Sequence, residues 1–406
     1  MNRRALVLLL AAFLATRGAT AWFADHPAAY HGGGSVIGDV TLYQYWGEQI
    51  SDHGAAPYRD VSIEYPPGAL PFIVGPALVG PVSYRTVYVA LMLLVDASGM
   101  IGLLLIARRW GSLLGPGLWV GLIPLIGPVT YLRLDLVPAV ATIWAVERMS
   151  KGSWRGAGAW LGFGAVAKLY PLVLLPPILV FSSHRKRLAG GALVVAILAL
   201  LPFAGWGRSL ARSVVRYHLE RGIEIESLWG AVLLLASKLG LAIRMDFSFE
   251  SLNVISSLTP SLKLVAGILL LAGVGAATWV AARAAASRQD ERLAEIMFAT
   301  LAVVVALATV LSPQYILWLA ATGAAATCSP ISSVRMPALL LAPIALLTQA
   351  IFPFLFVRLA SAEPLALTTL VIRNLLLLVL AAWALVAVAS RDRSEWRAKA
   401  GGDLLQ

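Results

Sequence analysis

Between positions 38 and 68 the chain reads GDVTLYQYWGEQISDHGAAPYRDVSIEYPPG. Five acids, Asp39, Glu48, Asp52, Asp60 and Glu64, stand among Tyr43, Tyr45, Trp46, Tyr58 and Tyr65. Carboxylates accept hydrogen bonds from hydroxyls, and aromatic rings cover apolar faces. That mixture suits a polyhydroxylated ligand such as a sugar. One such acid near a membrane surface can act as general base toward a hydroxyl. Asp39 precedes the helix-like run YQYWGEQI, so a plain helix cap explains it equally well. Tyr43, Arg59, Asp60 and Glu64 are the binding candidates of this segment.

Four more segments carry polar groups in apolar surroundings. GAVAKLYPLVLLPP puts Lys168 between two short apolar runs, where a cation needs water or a partner. It either snorkels to an interface or meets an anion such as a lipid phosphate. YLRLDLVPA puts Arg133 two residues before Asp135 at a tight turn, where the two can pair with each other. RSVVRYHLERGIEIES brings Arg216, His218, Arg221, Glu224 and Glu226, a pattern also compatible with an amphipathic helix on lipid headgroups. LSPQYILWLA adds Gln314 and Tyr315 beside a proline turn.

Long apolar elements must position these groups. Of 406 residues, 59% are hydrophobic and 13% charged; soluble domains carry about 25% charged residues. Lipid must therefore solvate much of the chain. The net charge of +11 falls in short clusters between apolar runs, the pattern of cytoplasmic loops and not of a nucleic-acid-binding surface. Apolar segments lie at about 5–24, 86–107, 113–131, 134–148, 154–167, 170–182, 188–204, 260–283, 293–311, 314–328, 336–357 and 364–390. The expected fold is an all-α polytopic bundle of about twelve spans, a single membrane domain over 1–406. Short pieces broken by Gly or Pro suggest half helices lining a cavity.

Placing 1–4, 107–112, 147–155, 184–187, 283–295, 329–335 and 391–406 inside collects 18 Lys/Arg against 7 Asp/Glu there. The other side then holds 12 Lys/Arg and 13 Asp/Glu. The imbalance puts both termini in the cytoplasm of a multi-pass plasma-membrane protein. Two extracytoplasmic loops result, about 25–85 and 205–259, and every candidate above falls on their side. Apolar stretches 68–80 and 228–243 break the parity and are read as in-plane or re-entrant helices. The N-terminal run is read as a retained first span, although Arg3 and Arg4 before it also resemble a signal peptide. The single cysteine, Cys328, excludes an intrachain disulfide and is read as a buried thiol. No Walker A, Rossmann glycine motif or HExxH occurs, and the acids lack a regular metal-ligand spacing. No cofactor or metal is expected.

In order, GDVTLYQYW, APYRDVSIEYPPG, RLDLVPA, AKLYPLVLLPP, RGIEIESLWG and SPQYILWL resemble the motifs of glycosyltransferase family 87 over about residues 35–320. That family includes mycobacterial polyprenyl-phosphate-mannose-dependent mannosyltransferases and belongs to the GT-C fold class. The resemblance implies inverting transfer of a sugar, with mannose the first expectation, from a polyprenyl-phosphate donor in the membrane to a glycolipid or glycan acceptor. It implies an extracytoplasmic site, with Asp39 in the place of the expected base. Lys168 and Arg133 are chosen by position to face the donor phosphate. Glu226, Gln314 and Tyr315 lie in matching motifs without a fixed role. A transporter or flippase is the rival reading, motivated by Arg17, Asp96 and Arg373 inside apolar segments; a silent scaffold is a third.

Overall fold

A computed structural model describes residues 3–30, 38–285 and 289–403. The side chains of 215, 216, 218, 219 and 392–403 lie outside that description, and with them the candidates Arg216 and His218. Among the described residues six helices are long and apolar enough to cross a membrane: Arg3–Asp25 (α1), Tyr84–Trp110 (α4), the stretch Arg185–Val214, Thr259–Ala284 (α11), the broken stretch Arg335–Ala360 (α14) and the apolar part of Pro364–Asp403 (α15). The protein is a multi-pass helical membrane protein.

The other six expected spans fall on shorter helices. These are Leu114–Ile126 (α5), Leu136–Ser150 (α6), Trp154–Ala167 (α7), the turn and helix Tyr170–Phe181, whose α-helical part is Leu175–Phe181 (α8), Asp290–Leu307 (α12) and Ile316–Ala326 (α13). Their lengths run from 11 residues in α13 to 18 in α12. Eleven residues rise about 17 Å, against a hydrocarbon core of about 30 Å. A count of twelve spans therefore does not follow from length and composition. The short helices are the buried ones: every residue of α13, and all but three of α12, is packed inside the protein. A helix sheathed by protein need not match the bilayer thickness.

Small residues bring this bundle close. A Cβ on Gly115 of α5 would stand 2.1 Å from the Ala324 carbonyl of α13. One on Gly158 of α7 would stand 1.9 Å from the Leu188 carbonyl of Arg185–Leu200 (α9). Neither position has room for a side chain.

The basic connections gather at one end. Arg335 donates to the Ser112 hydroxyl (3.1 Å), Arg109 to the Ser150 carbonyl (2.9 Å), and Arg391 pairs with Glu295 (2.7 Å). The opposite end carries Gly38–Ser51 (α2), Leu70–Ala77 (α3) and Leu228–Ser237 (α10). With 8 and 10 residues, α3 and α10 rise only about 12 and 15 Å, too little to span. Ser227 caps α10 by accepting from the Gly230 N–H (2.9 Å).

One element departs from the all-α expectation. Arg244–Ser248 (β1) and Ser251–Ile255 (β2) form an antiparallel hairpin, with Ser248 opposite Ser251. Its turn residues Phe249 and Glu250 both have left-handed backbones, φ 55° and 52°.

Two of the three intramembrane charges, Arg17 and Asp96, pair with each other. Arg17 of α1 binds Asp96 of α4 at 2.8 Å, and Asp96 also accepts from Trp119 Nε1 and the Tyr131 hydroxyl, each at 2.6 Å. Arg373 of α15 donates to the Glu226 carbonyl at 2.6 Å. Cys328 is buried.

Candidate active site

Three breaks in the short helices aim polar side chains at one place. Helix α7 ends at Ala167, and Lys168 is extended (φ −157°, ψ 133°). Pro171 then occupies the first turn of the next helical segment, so α7 cannot simply continue. The break leaves Lys168 pointing across the helix ends. Arg133 is likewise extended after the turn Val129–Leu132. Asp135 follows at the N-cap position of α6 yet makes no capping bond. Its carboxylate instead accepts from Lys168 Nζ (2.7 Å) and Trp318 Nε1 (2.8 Å). The third break is Ser312–Pro313 before α13. The Ser312 hydroxyl donates to Glu224 Oε1 (3.0 Å), and Tyr315 is carried into an aromatic stack. Tyr315 stacks on Trp318 at 3.9 Å, and Trp318 on Tyr170 at 4.0 Å.

The loop segment EYPPG closes the site from above. A Cβ on Gly68 would meet the Val166 backbone at 2.7 Å, so only glycine lets this loop lie on the end of α7. Tyr65 is thereby set over Lys168, with Nζ 5.2 Å from its ring centroid. The Tyr65 hydroxyl hydrogen-bonds that of Tyr43 at 2.9 Å. Tyr43 reaches Asp39 at a loose 3.5 Å. Asp39 sits in the first turn of α2 and pairs with Arg133 at 3.1 Å.

The expected pairing of Arg133 with Asp135 is thus replaced by two long-range pairs, Arg133–Asp39 and Lys168–Asp135. An extended residue followed by a helix start sends the two side chains apart. Lys168 does not snorkel; its side chain is 12% exposed and neutralised.

A cavity of about 370 Å³ opens among these groups, within the usual size of a small-ligand site. Asp39, Glu64, Arg133, Lys168, Glu226, Gln314 and Tyr315 line it, together with Arg221 and Glu224. Tyr43 is fully buried behind it. Arg59 and Asp60 pair with each other at 2.8 Å on an exposed surface and do not line it.

Reasoning from sequence named no role for Arg221, Tyr217 or the hairpin. Arg221 lines the cavity, pairs loosely with Glu224 at 3.9 Å and lies over the Tyr217 ring at 5.4 Å. The hairpin adds Phe247 and Glu250 to the wall. The RGIEIES run was the available signal for Arg221; none existed for the hairpin.

Three carboxyls here are displaced by their surroundings, Glu224 among them, which burial pushes up against the opposing charge of Arg221. Burial pushes Glu64 up, against the Tyr217 hydroxyl beside it. Burial also pushes Glu226 up to about 8; Arg373 opposes this and the like charge of Glu224 adds to it. The 3.8 Å gap between Arg373 and Glu226 is too long for a hydrogen bond, so attraction does not cancel burial.

A comparison with curated proteins found no match. The crystal structure of ArnT from Cupriavidus metallidurans bound to undecaprenyl phosphate is similar at a TM-score of 0.46 and 14% identity, covering 86% of this chain and 72% of that chain. That likeness is too distant to assign a ligand or a fold. The family model described as Glycosyltransferase family 87 matches residues 63–313, more than half of the chain. The match takes in Arg133, Lys168, Arg221, Glu224 and Glu226 and begins after Asp39. The chain belongs to glycosyltransferase family 87.

Proposed function

We propose that this membrane glycosyltransferase moves a sugar, mannose being the first candidate, from a polyprenyl-phosphate donor to a hydroxyl of a glycolipid or glycan at the extracytoplasmic face of the plasma membrane. One observation carries the reading. A carboxylate, Asp39, and two cations, Lys168 and Arg221, open into the same cavity at the end of the bundle away from its basic loops. A base and a phosphate-binding charge are what transfer from a sugar phosphate requires.

In the proposed step, Asp39 takes the proton of the acceptor hydroxyl while that oxygen attacks the anomeric carbon. The bond from that carbon to the phosphate oxygen breaks on the opposite face, which inverts the centre. The polyprenyl phosphate leaves with the bonding pair. Lys168 keeps two of its three N–H donors beyond the one given to Asp135, and these face the developing charge. Arg221 is the second cation at the cavity. Arg133 lines the cavity as well, but its guanidinium is engaged by Asp39 and so orients the base. The stacked Tyr315, Trp318 and Tyr170 offer an aromatic wall beside a sugar face.

The transporter reading loses its motivating residues, because Arg17 and Asp96 neutralise each other and Arg373 is held by the Glu226 backbone. The test uses Asp39→Asn in nanodiscs supplied with labelled polyprenyl-phosphate mannose and a glycolipid acceptor. Transfer by the folded protein is expected to fall about 10²- to 10⁴-fold, beyond the lower unfolding midpoint that follows from leaving Arg133 without its counter-charge. Near-wild-type transfer would remove Asp39 from the base role.

A further inference from the structure

The hairpin β1–β2 stands in the cavity wall without a task in the proposed step. Phe247 and Glu250 line the cavity from it. Among the described residues, Phe247 is the one exposed apolar side chain in that wall, at 71%. Its neighbour Phe249 packs on Tyr217, whereas Phe247 meets no described ring. Glu250 is exposed too, and its carboxylate pairs with no described residue. The turn that presents them is strained. Phe249 and Glu250 hold left-handed backbones, which a Cβ resists, so the surroundings must impose them. The Tyr217 hydroxyl does so from one side by donating to the Phe249 carbonyl (2.7 Å). On the other, β2 is sewn to the segment that carries Glu224 and Glu226: the Ile225 N–H donates to the Leu252 carbonyl (2.9 Å) and the Val254 N–H to the Ile223 carbonyl (2.8 Å). The hairpin is thus a fixed part of the site.

We propose that the hairpin selects the acceptor: Phe247 lies under the apolar face of the acceptor's sugar ring, and Glu250 accepts from a hydroxyl of that ring. The inference rests on the proposed transfer reaction and gives its second substrate one end of the cavity. Two aromatic surfaces of opposite kind meet there. Tyr65 and Tyr315 stand around Lys168, with ring centroids 5.2 and 5.6 Å from Nζ, at the end that suits an anionic leaving group. Phe247 instead offers an open ring beside a free carboxylate, which suits a neutral polyol. A tip that dipped into lipid headgroups would carry Lys or Arg beside its aromatic ring. This one carries Asp246 and Glu250, and Arg244 is paired with Asp246 at 3.4 Å.

The test measures transfer in nanodiscs from labelled polyprenyl-phosphate mannose to octyl glycosides of mannose, glucose and galactose. Octylglycerol supplies the same tail and free hydroxyls without a ring. The wild type is expected to prefer at least one glycoside by about tenfold or more in kcat/KM. Phe247→Ala is expected to raise KM for that glycoside about three- to tenfold, with the donor KM at its wild-type value. Phe247→Tyr should restore the glycoside KM, and Glu250→Gln should raise it. Leu239→Ala, in the connection from α10 to β1, is the control: Leu239 is 91% exposed, lies off the cavity wall, and should change neither KM. An unchanged glycoside KM in Phe247→Ala overturns the inference and leaves the proposed function standing. So does a wild type that uses octylglycerol as well as every glycoside. A rise in both KM values together would make the hairpin a structural brace and overturn it too. Should the wild type turn over no donor, the proposed function fails, and binding decides the hairpin separately. 4-Fluorophenylalanine at position 247 then reports through its fluorine resonance. A shift with an octyl glycoside that octylglycerol does not reproduce supports the acceptor site. No shift, or one that follows only the phosphatidylglycerol content of the disc, overturns it.

Discussion

Asp135 is the residue on which the charge arrangement turns. It is fully buried and holds both Lys168 and Trp318. Asp135→Asn would leave a nearly buried ammonium without its counter-charge, a loss of about 3–5 kcal/mol. The unfolding temperature in detergent should drop clearly, and the double change with Lys168→Met should recover part of it. An unchanged midpoint would mean that the pair is wetter than its geometry indicates. Glu226 gives a pH prediction of definite sign. Its folded pKa is about 8 against an ordinary 4.5, so between those values the folded protein holds a proton that the unfolded chain has released. Stability is therefore full below the lower value and declines as pH rises through the window. Glu226→Gln should flatten the profile between pH 5 and pH 8; an equally steep slope in the variant would assign it to another group. Lys168, Arg133 and Glu226 stood out in the sequence because charges are rare in so apolar a chain. Their partners did not stand out. Arg133 to Asp39 and Lys168 to Asp135 span 94 and 33 positions, distances that only the folded bundle closes.

Helices set the geometry, and their legibility was uneven. The apolar runs marked where helices lie, since 3.6-residue structure is the only way for a lone segment to satisfy its backbone in lipid. They did not mark which helices would be sheathed by protein, because a lipid-facing Leu and a packed Leu read alike. The hairpin was hidden for a different reason. A two-residue turn with both φ positive normally announces itself by Asn-Gly or Asp-Gly, and here the turn is Phe249-Glu250. Phe249 is held by tertiary contact: its carbonyl accepts from the Tyr217 hydroxyl at 2.7 Å and the two rings meet edge to face. The packing of α7 on α9 can be tested at two glycines. Gly158→Leu drives a side chain into the Leu188 backbone and should cost about 1–3 kcal/mol or more. Gly190→Ala meets nothing within 4 Å and should leave the unfolding midpoint equal or higher. Equal tolerance at both positions would contradict the close approach of the two helices.

Across the whole molecule, the basic loops and the cavity lie at opposite ends. Segments 107–112, 147–155, 289–295, 329–335 and residue 391 are knitted together at one end by Arg109, Arg335 and Arg391. The acids and aromatics of 38–68 close the other. On the proposed function, Lys/Arg-rich loops kept in the cytoplasm would turn the cavity outward, toward acceptors that have already crossed the membrane. Single cysteines test this directly, because the native Cys328 is buried and gives little background. Arg59 belongs to the 38–68 segment and its side chain is 56% exposed, and Lys151 lies at the basic end with one 43% exposed. A membrane-impermeant maleimide should label Arg59→Cys in intact spheroplasts and Lys151→Cys only after permeabilisation. The reverse pattern would turn the site toward the cytoplasm, where the same chemistry would need a cytoplasmic acceptor. Labelling of both in intact cells would break the two-ended arrangement itself.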